Sequence, residues 1–153
     1  MPILHDLGGI SSQGRGSLYF VPQNATVNTS IDLTILKDKL PVWSQLLHCN
    51  YFHQDGAPSH RAKAVREFLK QSNINVLSKR PGNSPDLNCL ENYWAKLKNI
   101  VATFHPTSRV NLVNKIKFVW SHYITRYYCQ ELLHSMPRRI QACLKAKGYP
   151  TRY

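Results

Sequence analysis

The stretch HCNYFHQDGAPSHRAKAVREFLKQSNINVL, residues 48–77, decides the fold class. Its opening HCNYFHQ is rich in aromatics and reads as a strand that ends at Asp55, where Gly56 and Pro58 break the extended pattern. Pro58 suits the first turn of a helix, because its missing N–H has no intrahelical partner there anyway. That helix is expected to run to about Gln71. Ala62, Val65, Phe68 and Leu69 share one of its faces, and Lys63, Arg66, Glu67 and Lys70 share the other. INVL, residues 74–77, reads as a second strand. Strand, helix and strand at this spacing form a parallel βαβ unit, so the chain is α/β.

Working outward, GGISSQGRGS (8–17) carries four glycines and reads as a loop or hairpin turn leading into a strand, LYFV. Asn28 to Leu40 fits a short helix with Ile31, Ile35 and Leu36 on one face and Pro41 ending it. Beyond the βαβ unit, RPGNSPD is dense in turn formers, and Ser84 or Asp86 is placed to cap the next helix. That helix sets Leu87, Leu90, Trp94, Leu97 and Val101 three and four apart. After Pro106 one long amphipathic helix is expected, with Val113, Ile116, Trp120, Tyr123, Ile124 and Tyr127 on a broad face. A last helix, from about Pro137 to Lys147, closes at Gly148. The C-terminal half is therefore helical.

The 153 residues suffice for one domain with a core of its own, and 42% apolar residues argue for a folded globule. Twenty Lys and Arg against eight Asp and Glu give a formal charge of +12. Such a surplus serves solubility, or it meets a polyanion: nucleic acid, or an acidic membrane surface. Nucleic acid is the favoured partner. Basic residues are spread through the chain rather than gathered in a tail, so the charge belongs to the folded surface. Cys49, Cys89, Cys129 and Cys143 make no C-x-x-C pair and read as reduced thiols of an intracellular protein. No apolar run approaches the roughly 18–20 residues of a membrane span, and MPILHDLGGI lacks the pattern of a secretory signal.

Two carboxylates stand out. In isolation, Asp55 after its strand reads either as a turn residue accepting backbone N–H bonds or as a metal ligand. Glu91 falls four after Leu87 and three before Trp94, on the margin of the apolar stripe. It either reaches outward from that edge, pairs with Lys96 or Lys98, or takes a cation. Hard divalent ions bind one or two carboxylates plus water and phosphate oxygens. Two such metals activate a water or a 3′-hydroxyl and stabilise the leaving oxygen of a phosphodiester.

FHQDGAPSHRAKAVREFL and PGNSPDLNCLENYWAKLKN together resemble the DDE-type catalytic domain of the Tc1/mariner-family transposases, in particular the Tc1-like branch. Gln54, Asp55, Ala57, Pro58 and His60 match the motif around that family's second catalytic Asp. Ser84, Pro85, Asp86, Leu87, Asn88, Glu91 and Trp94 match the motif around its third carboxylate. SMPRRIQACLKAKGYPTRY is similar to the family's C-terminus and LGGISSQGRG to its WGG segment, so the resemblance covers nearly the whole chain. It implies an RNase H-like fold, a mixed sheet flanked by helices with a helical C-terminal part, residues 1–153 forming a single domain that is incomplete at the N-terminus and lacks the family's first strands. It also implies two Mg2+ or Mn2+ ions, with Asp55 and Glu91 as catalytic metal ligands. Asp86 would shape the turn or cap the helix, while His60 and Asn88 would be structural or would support the ligands. The partner it implies is double-stranded DNA, transposon ends and target, in the nucleus, with a homodimer left open.

Three departures from the family pattern follow. The family's first catalytic Asp lies on an early strand upstream of the WGG segment, and Asp6, beside the glycine pair, sits in the wrong context to replace it. The N-terminal helix-turn-helix modules are not matched either. Thirty-five residues separate Asp55 from Glu91, one more than is usual, the extra one falling in SKRP (78–81). Cys89 and Leu90 stand where Pro and Ile are commoner. The expectation is weak metal binding, impaired strand cleavage and a sheet edge open to pairing. The alternative is a non-catalytic DNA-binding or assembly protein derived from a transposase, and a nuclease of the wider RNase H-like group ranks last.

Overall fold

A computed structural model describes residues 6–22, 25–46, 51–55, 57–77 and 84–153. In chain order the elements are β1 (Asp6–Leu7), β2 (Ile10–Ser11), β3 (Gly14–Arg15), β4 (Tyr19–Phe20), α1 (Thr29–Leu46), β5 (Tyr51–Phe52), α2 (Lys63–Gln71) and β6 (Asn75–Val76). A 3-10 turn at Pro85–Leu87 then leads into α3 (Cys89–Thr103), α4 (Arg109–His122), α5 (Arg126–His134) and α6 (Met136–Lys145). The described chain forms two compact units, residues 6–8 with 16–84 and residues 9–15 with 85–153.

In the first unit β5 and β6 pair in parallel, Tyr51 opposite Asn75 and Phe52 opposite Val76, with α2 between them in sequence. This is the βαβ unit that the periodicity requires, although each strand is only two residues long and residues 48–50 of the expected first strand lie outside the described residues. Val65 and Leu69 of α2 are buried against Leu36 and Leu40 of α1, with Phe52, Phe68, Ile74 and Val76 packed around them. β1 and β4 pair antiparallel, Leu7 opposite Tyr19.

Pro41 does not end α1. It sits inside the helix, which runs on to Leu46. Pro41 and Lys37 four residues earlier are both exposed, so the carbonyl deprived of its donor faces water. The extra turn buries Trp43, whose indole N–H donates to Ser17 Oγ at 3.2 Å. A Cβ on Gly16 would stand 2.7 Å from that indole nitrogen, which explains a glycine at this position. Nor does Pro58 open α2. Residues 58–61 form a separate turn, closed by bonds from Arg61 N to Ala57 O and from Ala62 N to Ser59 O, and α2 starts at Lys63 without a side-chain cap.

In the second unit β2 and β3 form the glycine-rich hairpin, with Gly14 at a φ of 131°. Arg15 leaves this hairpin to donate to Ile124 O at 2.6 Å and Ser121 O at 2.8 Å. It thereby satisfies carbonyls at the end of α4 that have no helical donor. The long helix expected after Pro106 is two helices. α4 stops at His122, Ile124 is fully buried, and Thr125 caps α5 by accepting from Tyr128 N at 3.1 Å. The break leaves Tyr123 and Tyr127 exposed rather than on a core face.

The stripe of α3 is also rotated from expectation. Cys89, Tyr93, Leu97 and Val101 are buried, whereas Leu90 and Trp94 are half-buried. Tyr93 packs edge-on against Trp94 at 5.5 Å and Trp120 at 5.0 Å between ring centroids. α6 closes with Lys147 in the left-handed region and Gly148 N bonded back to Cys143 O, close to the ending read at Gly148. Cys89, Cys129 and Cys143 are free thiols, and Cys49 lies outside the described residues. Among the described residues, no helix is long and apolar enough to cross a membrane.

Candidate active site

Asp55 stands three residues past β5, exposed. Its Oδ1 accepts from Ala57 N at 3.0 Å, so the turn-forming role open to it in the sequence is realised. The same oxygen faces His60 Nε2 at 3.4 Å. On the other side of the ring, His60 Nδ1 meets Asp32 Oδ2 at 2.7 Å. Asp32 lies in the first turn of α1 and is 2% exposed. Gln54 ties the loop together by donating from Nε2 to His60 O at 3.2 Å. Burial alone would push the His60 pKa down. The hydrogen bond and charge of Asp32, with the charge of Asp55, outweigh it and raise the pKa above the ordinary histidine value.

Glu91 is exposed in the first turn of α3, where a negative charge suits the helix N-terminus. Its Oε1 accepts from Asn88 Nδ2 at 3.1 Å. Asn88 occupies the N-cap position but makes no side-chain cap bond, its amide donating to Glu91 instead, and the Asp86 carboxylate is engaged by Thr151 N. Among the described residues no ion pair joins Glu91 to Lys96 or Lys98. Lys96 lies over the Tyr128 ring instead, 3.6 Å from its centroid.

Asp86 shapes the turn before Glu91 through partners far along the chain. Its Oδ2 accepts from Thr151 N at 2.7 Å, and hydrogen bonding from Thr151 holds its carboxyl below the usual carboxylate range. Its carbonyl accepts from Arg139 at 3.1 Å. Arg139 is 3% exposed and also donates to Asn92 Oδ1 and Ser135 Oγ, each at 2.7 Å. The buried guanidinium thus grips the chain on both sides of Glu91, at Asp86 in the 3-10 turn and at Asn92 in α3. Trp94 is half-buried and packs on Trp120 at 5.9 Å, which makes it a core-edge residue of this unit.

The structure therefore brings Gln54, Asp55 and His60 together in one unit, and Asp86, Asn88, Glu91 and Trp94 on one helix start in the other. Pro58 lies in the exposed turn between Asp55 and His60, and half-buried Ser84 immediately precedes the 3-10 turn. Sequence reasoning missed Asp32 and Arg139. A signal for the second was present: an arginine in the first turn of a helix opposes the helix dipole, so something other than the helix must hold it there.

Asp55 and Glu91 offer the hard oxygen donors that Mg2+ and Mn2+ prefer. Asp55 Oδ2 and Glu91 Oε2 accept no hydrogen bond from the described residues. Among the described residues no group of three or more His, Cys, Asp or Glu side chains gathers to hold a metal ion. The donor set fits a cation that keeps much of its water shell and takes one or two carboxylates.

Residues 34–112 match the family model described as DDE superfamily endonuclease. The Tcb2 transposase of a transposable element from Caenorhabditis briggsae is 31% identical over 121 residues, which cover 78% of this chain and 44% of that protein. Among solved structures, the Mos1 transposase catalytic domain with raltegravir and Mn matches with a TM-score of 0.76 at 20% identity, covering 97% of this chain and 83% of that one. The Mos1 paired-end complex with the left transposon end matches with a TM-score of 0.78 at 20% identity, covering 95% and 44%. The fold is thus the RNase H-like one of transposase catalytic domains. The chain belongs to the DDE superfamily of endonucleases, among the transposases of the Tc1/mariner type. It spans less than half the length of the curated transposases it matches.

Proposed function

We propose that residues 1–153 are a DDE-type domain of the kind that cuts and joins double-stranded DNA in the nucleus, with Asp55 and Glu91 as carboxylate ligands for Mg2+ or Mn2+ and with strand cleavage impaired in these residues alone. The observation that carries this reading is the state of the two acids. Each is exposed, each is steadied through one oxygen by a motif neighbour, and each keeps its other oxygen free of described partners. A bound divalent cation would activate the attacking oxygen and stabilise the leaving one. The chain's own part is to hold the two carboxylates and to bind the DNA backbone. Lys63, Arg66 and Lys70 are exposed along α2, directly after the Asp55 loop, and suit phosphate contacts.

These 153 residues match two of the three carboxylates of the family pattern. A polypeptide of residues 1–153 is therefore expected to bind metal weakly and to nick DNA little by itself. Incubation of the purified polypeptide with supercoiled DNA and Mn2+ tests both statements. Robust nicking that disappears in Asp55→Ala would overturn the impairment and strengthen the ligand assignment. Robust nicking that survives both Asp55→Ala and Glu91→Ala would remove the assignment itself.

The basic face of α2 also favours a second reading, a DNA-binding or assembly protein that retains the fold without the chemistry. Under it, DNA affinity falls steeply with salt and is unchanged by Asp55→Asn or Glu91→Gln. Absence of binding at low salt would exclude it.

A further inference from the structure

Asp32 belongs to no motif, yet it is a nearly fully buried acid, and its position has a consequence for Asp55. The two ring nitrogens of His60 face two different carboxylates, Asp32 Oδ2 at 2.7 Å and Asp55 Oδ1 at 3.4 Å. Asp32 stands on α1, held by the packing of that helix on α2 and by Asn28, whose carbonyl accepts from Asp32 N at 2.9 Å. His60 closes the loop that begins at Asp55, and its carbonyl is tied to Gln54. A buried, fixed anion therefore sets the plane of an imidazole whose far edge meets the exposed carboxylate.

We infer that Asp32 and His60 are positioning residues for Asp55: the buried carboxylate fixes the imidazole, and the imidazole with Ala57 N engages Asp55 Oδ1, so that Oδ2 is the oxygen presented to a cation. The inference rests on the reading of Asp55 as a metal ligand. It goes further in assigning one oxygen to the protein and the other to the ligand, and in giving a role to an acid outside the motif. A pair that only tied α1 to the loop would have no effect on the Asp55 carboxylate.

The test follows the side-chain carboxyl 13C resonances of the labelled 153-residue chain, with Asp55 assigned through Asp55→Asn and Mn2+ added as a paramagnetic probe. Asp32→Asn keeps the shape and removes the charge. Asp38→Asn removes a charge from the exposed face of the same helix and serves as the control. The expected result is a displaced Asp55 resonance in Asp32→Asn, and a several-fold higher Mn2+ concentration for half-broadening, with neither change in Asp38→Asn. An Asp55 resonance and Mn2+ response indifferent to Asp32→Asn would overturn the inference while leaving Asp55 a ligand. A displaced resonance that Mn2+ broadens in neither protein would uphold the positioning and overturn the metal reading. If Asp32→Asn fails to fold, His60→Gln is followed in the same way, and an Asp55 resonance and Mn2+ response indifferent to that substitution would overturn the inference.

Discussion

The unit that carries Asp55 and the unit that carries Glu91 anchor their acids by opposite means. Asp55 leans on His60, an ionisable ring backed by the buried anion of Asp32. The start of α3 leans on Arg139, whose charge is permanent and whose described hydrogen bonds go to neutral oxygens of Asp86, Asn92 and Ser135. The first device acts on the carboxylate itself and depends on a proton. The second acts on the backbone and side chains either side of Glu91 and does not. One family motif can thus be supported in its two halves by unrelated chemistry, as long as each acid keeps an oxygen outward.

The sharpest way to break this comparison is to remove the guanidinium. Arg139→Leu leaves three buried or half-buried acceptors without a donor and is expected to cost about 3–4 kcal/mol in urea unfolding. Arg139→Lys should recover less than half, because an ammonium cannot fork to three separated oxygens. A cost under about 1 kcal/mol would mean the clamp holds nothing.

In the Asp55 unit the counterpart weak point is packing. Gly16→Ala sets a methyl 2.7 Å from the Trp43 indole and should cost about 1–3 kcal/mol, read by thermal unfolding and by a change in Trp43 fluorescence. Charge matters there through pH. The His60 pKa is raised on folding, so its contribution is complete below the ordinary value of 6.5 and is lost as pH rises through the raised value. Asp86 runs the other way. Its pKa is lowered, so its contribution is present above 3.8 and is lost in acid. Unfolding curves across pH should therefore show Asp32→Asn flattening the alkaline limb and Asp86→Asn flattening the acid one. Exchange of those two effects would contradict the assignment of each device to its unit.

The smallest expected effect is a gain. Tyr93 is fully buried, its hydroxyl has no partner among the described residues, and burial pushes its pKa far up. Tyr93→Phe should leave stability unchanged or raise it by about 1 kcal/mol in the same assay.

What could be read from the sequence was local. The βαβ unit follows from Ala62, Val65, Phe68 and Leu69 repeating at helical spacing between two short β-prone runs, and Asp55 and Glu91 stand out by position relative to those patterns. What could not be read depends on contacts far along the chain. Pro41 stays inside α1 because its exposed side tolerates a free carbonyl while Trp43 gains burial. The α4–α5 break turns on Ile124 sinking into the core and on Arg15, more than a hundred residues earlier, closing the end of α4. Asp32 and Arg139 are polar residues buried by neighbours that no local pattern names.

The central claim, that Asp55 and Glu91 are each ligands for a divalent cation, is tested most directly by one Mn2+ titration watching both side-chain carboxyl resonances. The predicted result is that each broadens ahead of the exposed acids Asp38 and Glu67. Broadening of all exposed acids together, or of either of the two no sooner than Asp38 and Glu67, would contradict it.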